Sequence, residues 1–140
     1  MKLDLNSLRQ AVESLGRAVT VAENKDFIAG LEEDAKEVIR AGVIQNFKFS
    51  YELCWKFMKR WLEVNFGSVY VEGVTRRQLF RLSAENRLIE DVDRWMEYHD
   101  ARNETAHTYD ENTAEEVFAT ARQFLADAET FLRALEARND

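Results

Sequence analysis

Arg102-Asn103-Glu104-Thr105-Ala106-His107-Thr108-Tyr109 gathers a permanent cation, an amide, an imidazole and a phenol within eight positions. RNA can be cleaved without a metal when its own 2′-hydroxyl attacks the adjacent phosphate. That chemistry needs a group titrating near neutral pH to move protons, which is the property of histidine. It also needs a cation against the charge that builds on the phosphorus oxygens, and the arginine fork suits that task. Residues five apart on a straight helix are separated by about 140° around the axis, so Arg102 and His107 flank a face. Asn103 lies one turn before His107, where it can orient the imidazole or a phosphate. One subunit offers one such histidine. Two copies meeting about a twofold axis would supply both the acid and the base. A purely structural role fits the same residue types: Arg102 paired with carboxylates, His107 at the negative end of a helix dipole, and Tyr109 packed where the chain turns.

Other chemistries find less support. His99 and His107 are eight residues apart, about 12 Å along one helix, too far to ligate one ion. A di-iron bundle uses two Glu-x-x-His pairs, and Glu104/His107 has no second copy. Cys54 lies in an apolar row, where a free thiol behaves as a small hydrophobe. No glycine-rich phosphate loop occurs. Trp55, Trp61, Trp95 and the nine phenylalanines read as core or interface residues. No metal and no cofactor are expected.

The net charge of −7 opposes general nucleic-acid binding, and no DNA partner is expected. The charge is uneven. Residues 48–87 hold eight basic side chains against four acidic ones, whereas residues 100–116 hold six carboxylates against Arg102 alone. Solvated helix faces account for such runs. For an anionic ligand, the basic middle segment would have to supply the surface that the acidic surroundings of His107 deny.

The elements that must position these residues are helical. There is no proline and there are five glycines in 140 residues, so little interrupts a helix. Leu5, Leu8, Val12, Leu15 and Val19 predict a first helix over 4–23, followed by a connection, ENKDFIAG. A long helix over 34–64 carries Ile44, Phe47, Tyr51, Cys54, Met58 and Trp61 on one row and Phe49, Leu53 and Phe57 on another. Two apolar rows must be covered on two sides, within a bundle or by a partner subunit. NFGSVYVEGV (65–74) reads as a loop. Thr75 and Gln78 form a capping box that opens a short helix over 76–87. A helix over 89–108 is expected to bury Ile89, Val92, Trp95 and Met96. Thr113 and Glu116 form a second box and start a helix over 114–137, with a seam of Val117, Ala121, Phe124, Ala128, Phe131 and Leu135. The fold class is therefore all-α, an up-and-down four-helix bundle with an extra short helix, one domain over 1–140. The N-terminal MKLDLNSLRQ lacks a signal peptide's apolar core, and a single cysteine does not suggest secretion, so the chain is expected to be cytoplasmic and away from membranes.

The segment 102–109 resembles the Arg-x4-His-x-Tyr motif of the HepT-like branch of the HEPN superfamily. VIQNFKFSYELCWKFMKRWLE (43–63) and WMEYHDARNETAHTYDEN (95–112), in that order, are similar to its subfamily of nucleotidyltransferase substrate-binding proteins. The resemblance covers at least residues 39–118. It implies a homodimeric HEPN-like bundle working with a separate minimal nucleotidyltransferase. It implies Arg102 and His107 as catalytic, Asn103 as a substrate-binding polar neighbour, and Tyr109 as an acceptor of AMP. The subfamily points to a nucleotide- or RNA-binding subunit of a two-component transferase. The toxin–antitoxin members point to a metal-independent endoribonuclease toxin. A non-catalytic helical interaction module is the third reading.

Overall fold

The computed structural model describes residues 2–139. Six α-helices follow one another: α1 (Asn6–Glu23), α2 (Lys25–Ala29), α3 (Glu33–Phe66), α4 (Arg76–Glu85), α5 (Val92–Glu104) and α6 (Glu111–Ala137). The long helix α3 is the spine. At 1.5 Å per residue it runs for roughly 50 Å, and α1, α4, α5 and α6 all pack on it. The all-α bundle expected from the spacing is what forms.

The α1 stripe of Leu8, Val12, Leu15 and Val19 is buried, as are all six residues of the α6 seam. They enclose an aromatic core in which Phe124 is central. Its ring lies 5.2 Å from Phe47, 5.5 Å from Trp95 and 5.0 Å from Tyr98, all edge-on. Such contacts add roughly 1 kcal/mol each beyond the area they bury. Polar stitches hold α1 to α3: Ser14 Oγ donates to Asn46 Oδ1 at 2.7 Å, and Ser50 Oγ donates to the Ala11 carbonyl at 3.1 Å. At the ends of the fold, Asn139 takes the place of a strand partner. Its Oδ1 accepts from the Leu3 N–H and its Nδ2 donates to the Leu3 carbonyl, both at 2.8 Å.

The capping box at α4 is present: Gln78 N–H donates to Thr75 Oγ1 at 3.1 Å and Thr75 N–H donates to Gln78 Oε1 at 2.8 Å. The second box is not. α6 starts one turn before Thr113, because the Asp110 carboxylate accepts the Thr113 N–H at 3.0 Å and so caps the helix itself. Aspartate is among the strongest capping residues, and this one precedes the threonine. The connection after α1 contains α2, capped by Asn24. The 65–74 loop contains a 3₁₀ turn at Ser68–Val71, entered through Gly67 at φ 91°, a conformation that glycine adopts without steric cost.

α5 starts at Val92, capped by Asp91, and stops at Glu104; a 3₁₀ turn, Thr105–His107, replaces its expected last turn. Its buried stripe is Trp95, Tyr98 and Ala101, with Ile89 buried just before the helix, while Val92 and Met96 are half-buried. Tyr98 can face the core because its hydroxyl donates to Asp127 on α6. The second apolar row of α3 is covered only at one end: Phe57 is buried, Leu53 half-buried, and Phe49 is 55% exposed.

Candidate functional site

Three helices contribute to one polar network. From α3, Tyr51 is fully buried, yet its hydroxyl must find a partner. It finds His99 of α5, with the Tyr51 oxygen 2.8 Å from Nδ1. Among the described residues that hydroxyl has no other hydrogen-bond partner, so the pair ties α3 to α5 through one ring nitrogen and leaves Nε2 facing outward. Nε2 points toward Asn103, whose amide nitrogen is 3.5 Å away, too long for a firm hydrogen bond. Burial lowers the pKa of His99, and the charge of Arg76 lowers it further; Arg102 acts in the same sense, while Asp100 and Glu52 oppose. Burial likewise pushes the Tyr51 phenol up, so it stays protonated.

One turn along α5, Arg102 is anchored. Its Nε donates to Glu52 Oε1 on α3 at 2.6 Å, and both side chains are a little under one-third exposed. The other oxygen of Glu52 accepts from Trp55 Nε1 at 3.2 Å. The Trp55 ring in turn carries the guanidinium of Arg76, the first residue of α4, 3.6 Å from its centroid. A single carboxylate thus joins the arginine of α5 to the tryptophan that seats the arginine of α4.

His107 lies elsewhere. It closes the 3₁₀ turn, is exposed, and packs its ring 6.2 Å from that of Tyr109, which is 88% exposed. Its carbonyl accepts the Asp110 N–H at 3.2 Å. Because α5 ends at Glu104, the phase of a continuous helix does not extend to His107. Asn103 therefore reaches back to His99 and makes no hydrogen bond with His107. The four residues singled out from the sequence separate into two pairs: Arg102 and Asn103 in the network, His107 and Tyr109 on the turn.

Beside the turn, between α3 and the start of α6, an open groove of about 570 Å³ is lined by residues including Val38, Gln45, Lys48, Thr105 and Thr108. Arg40 and Glu111 close one side with a two-pronged ion pair at 2.6 and 3.0 Å. Cys54 is fully buried, and burial pushes its thiol pKa far up, which makes it inert core.

His99, Tyr51 and Arg76 are the residues that spacing alone does not find. The one signal for them was a tyrosine inside an otherwise apolar row, since its hydroxyl required a polar partner from another element.

The class of protein is thus an all-α bundle with one polar network at the junction of α3, α4 and α5, next to an exposed imidazole–phenol pair. The chain belongs to the family described as nucleotidyltransferase substrate binding protein like, whose model matches residues 3–137. It is 34% identical to the probable ribonuclease HepT of Haemophilus influenzae, over 99% of this chain and 95% of that protein. A solved Haemophilus influenzae structure, described as revealing the fold of a substrate binding domain of a nucleotidyltransferase, superposes with a TM-score of 0.89. It is 32% identical and covers 95% of this chain and 99% of its own. A crystal structure from Thermus thermophilus matches with a TM-score of 0.71 and 25% identity, over 91% of this chain and 98% of that one. Among the described residues, no helix is long and apolar enough to cross a membrane.

Proposed function

We propose that this chain is the substrate-binding subunit of a two-component nucleotidyltransferase, acting as a homodimer beside a separate minimal nucleotidyltransferase. Its ligand is nucleotide or RNA, bound across Arg102, Asn103 and His107. The observation that carries this reading is the aim of Arg102. Glu52 grips its Nε from behind at 2.6 Å, while its two terminal nitrogens have no partner among the described residues. A cation fixed in this way meets a phosphate with little ordering left to do.

The homodimer is supported by the uncovered row of α3. Val38, 70% exposed, and Phe49, 55% exposed, share one helical face with the exposed Ala41 and Gln45, alongside the groove that reaches Thr105 and Thr108. Covering that face with the same face of a second copy brings two His107 turns toward one cleft. Tyr109 is open enough to be modified. Its phenolic oxygen attacks the α-phosphorus of ATP, the phenolic proton leaves, and pyrophosphate departs. The added phosphate then places negative charge two residues from His107, where an RNA backbone must dock.

The decisive experiment is intact-mass measurement after incubation with a minimal nucleotidyltransferase encoded beside this chain, together with ATP. The mass rises by one or more AMP units, and Tyr109→Phe abolishes the rise. An unchanged mass with an active partner enzyme rejects the acceptor role.

A second reading, metal-independent RNA cleavage, is favoured by the likeness to a probable ribonuclease and by the exposure of His107. In it the 2′-hydroxyl loses its proton to one imidazole as it bonds to phosphorus. The P–O5′ bond breaks, the second imidazole protonates the leaving oxygen, and a 2′,3′-cyclic phosphate remains. Cleavage in EDTA that is lost in His107→Ala supports it, and equal cleavage by the variant rejects it.

A further inference from the structure

The observation left without a purpose is Arg76. Its Nε is buried and has no hydrogen-bond partner. Among the described residues no carboxylate lies within ion-pair distance of its guanidinium. Its only seat is the face of Trp55. Its neighbour Arg77, by contrast, is paired with Asp93 at 3.2 Å on the surface. A partly buried cation without a counter-charge is costly in an apolar setting. That cost is recovered when an anion arrives.

The surroundings supply further donors. Arg76 acts more strongly than any other charged group on the His99 ring and the Tyr51 phenol, and Arg102 acts on both as well. His99 turns Nε2 outward, because Tyr51 occupies Nδ1. Among the described residues the terminal nitrogens of Arg102 have no partner, since Glu52 binds only its Nε. Two cations and the His99 ring are therefore linked through Trp55, Glu52 and Tyr51 at the junction of α3, α4 and α5. Arg76 already covers one face of the Trp55 ring at 3.6 Å. The charged donors gathered here suit phosphate.

We infer that Arg76 and His99 form, with Arg102, a second phosphate subsite, taking a phosphate group of the ligand adjacent to the one that faces His107. This deepens the proposed function and rests on its phosphate-handling reading. It also resolves the charge problem seen in the sequence. The basic middle segment does reach the motif, through Arg76, whose charge acts on the His99 ring. His99 is a positioning and binding group, and its partner Tyr51 holds the orientation of the ring. The phosphate can belong to a polynucleotide backbone or to a free nucleotide.

The test is binding, by titration calorimetry, of a 2′-O-methyl oligouridylate, which cannot be cleaved, and separately of ATP, each over a range of salt. Whichever probe binds identifies the source of the phosphate. Arg76→Gln weakens its binding by about tenfold, as expected for a lost charge-assisted hydrogen bond. For the oligonucleotide it also lowers the salt dependence by roughly one phosphate contact. Arg77→Gln removes the same charge from the next position and leaves affinity within about twofold. In the unsubstituted protein, saturation with the probe shifts the His99 ring resonances, a readout independent of any variant. If Arg102→Gln loses binding while Arg76→Gln keeps it, the subsite is wrong and the proposed function stands. Equal losses in Arg76→Gln and Arg77→Gln, or unmoved His99 resonances, also overturn the subsite. Failure of the unsubstituted protein to bind either probe at low salt overturns both.

Discussion

His99 and His107 sit eight residues apart on one segment, yet they live in different regimes. His99 is half-buried, hydrogen-bonded at 2.8 Å by a phenol from another helix, and held neutral by burial and by Arg76. His107 stands on an exposed turn with only Tyr109 beside it. The first is a fixed part of the bundle; the second is an accessible group at its rim. Under the proposed function the two regimes divide the work. Phosphate charge is met by donors that are already in place, whereas proton transfer and covalent modification use groups that a substrate or a second enzyme can reach.

The contrast between core and rim predicts its largest effect in stability. Phe124→Ala, at the centre of the aromatic cluster, lowers unfolding free energy by roughly 3–5 kcal/mol, while Tyr109→Ala stays within about 0.5 kcal/mol. Urea denaturation measures both, and a comparable loss in Tyr109→Ala would show that the turn is structural. A smaller effect comes from the network. Tyr51→Phe strips His99 Nδ1 of its partner and costs about 1–2 kcal/mol; Tyr109→Phe costs nothing measurable. Glu52→Gln, which loosens Arg102, costs about 1 kcal/mol because the pair is only partly shielded.

The smallest effect is in pH dependence, and it comes through His99. The pKa of His99 is lower in the folded protein than in the unfolded chain, where histidine titrates near about 6.5. Below that pH the unfolded state binds a proton that the folded state refuses. The stability contributed by neutral His99 is therefore complete above about 6.5 and is lost as pH falls toward the folded value. The groups that set this balance are Arg76, Arg102, Glu52, Asp100 and Tyr51. Thermal unfolding between pH 7.5 and 5 should flatten in His99→Gln relative to the unsubstituted chain. An unchanged slope would show that folding does not resist protonation of that ring.

Much of the fold was legible because it depends on periodicity within single segments. The stripes of α1, α3 and α6 and the Thr75/Gln78 box each follow from local spacing, and each is found. What was not legible depends on competition or on distance along the chain. Asp110 outcompetes Thr113 as a cap, and both choices satisfy local rules. The early end of α5 is set by a 3₁₀ turn that the residues alone do not announce. Tyr51 and His99 lie 48 positions apart, and Arg76 reaches Trp55 across a loop. Such pairings depend on which helix packs against which, and no single helix encodes that. Residue type and spacing singled out Arg102 and His107 as candidates; their separation into a network and a rim could not be read from either.

The bridge between Leu3 and Asn139 has a consequence for topology. Paired hydrogen bonds in both directions place two positions 136 residues apart within one side chain's reach. The described fold is thus nearly a closed ring, and a few flexible residues could join those positions. A permuted protein opened at the exposed Gly73, between the 3₁₀ turn and α4, would keep α3, α5 and α6 whole. It would also make Arg76 one of the first ordered residues of the new chain.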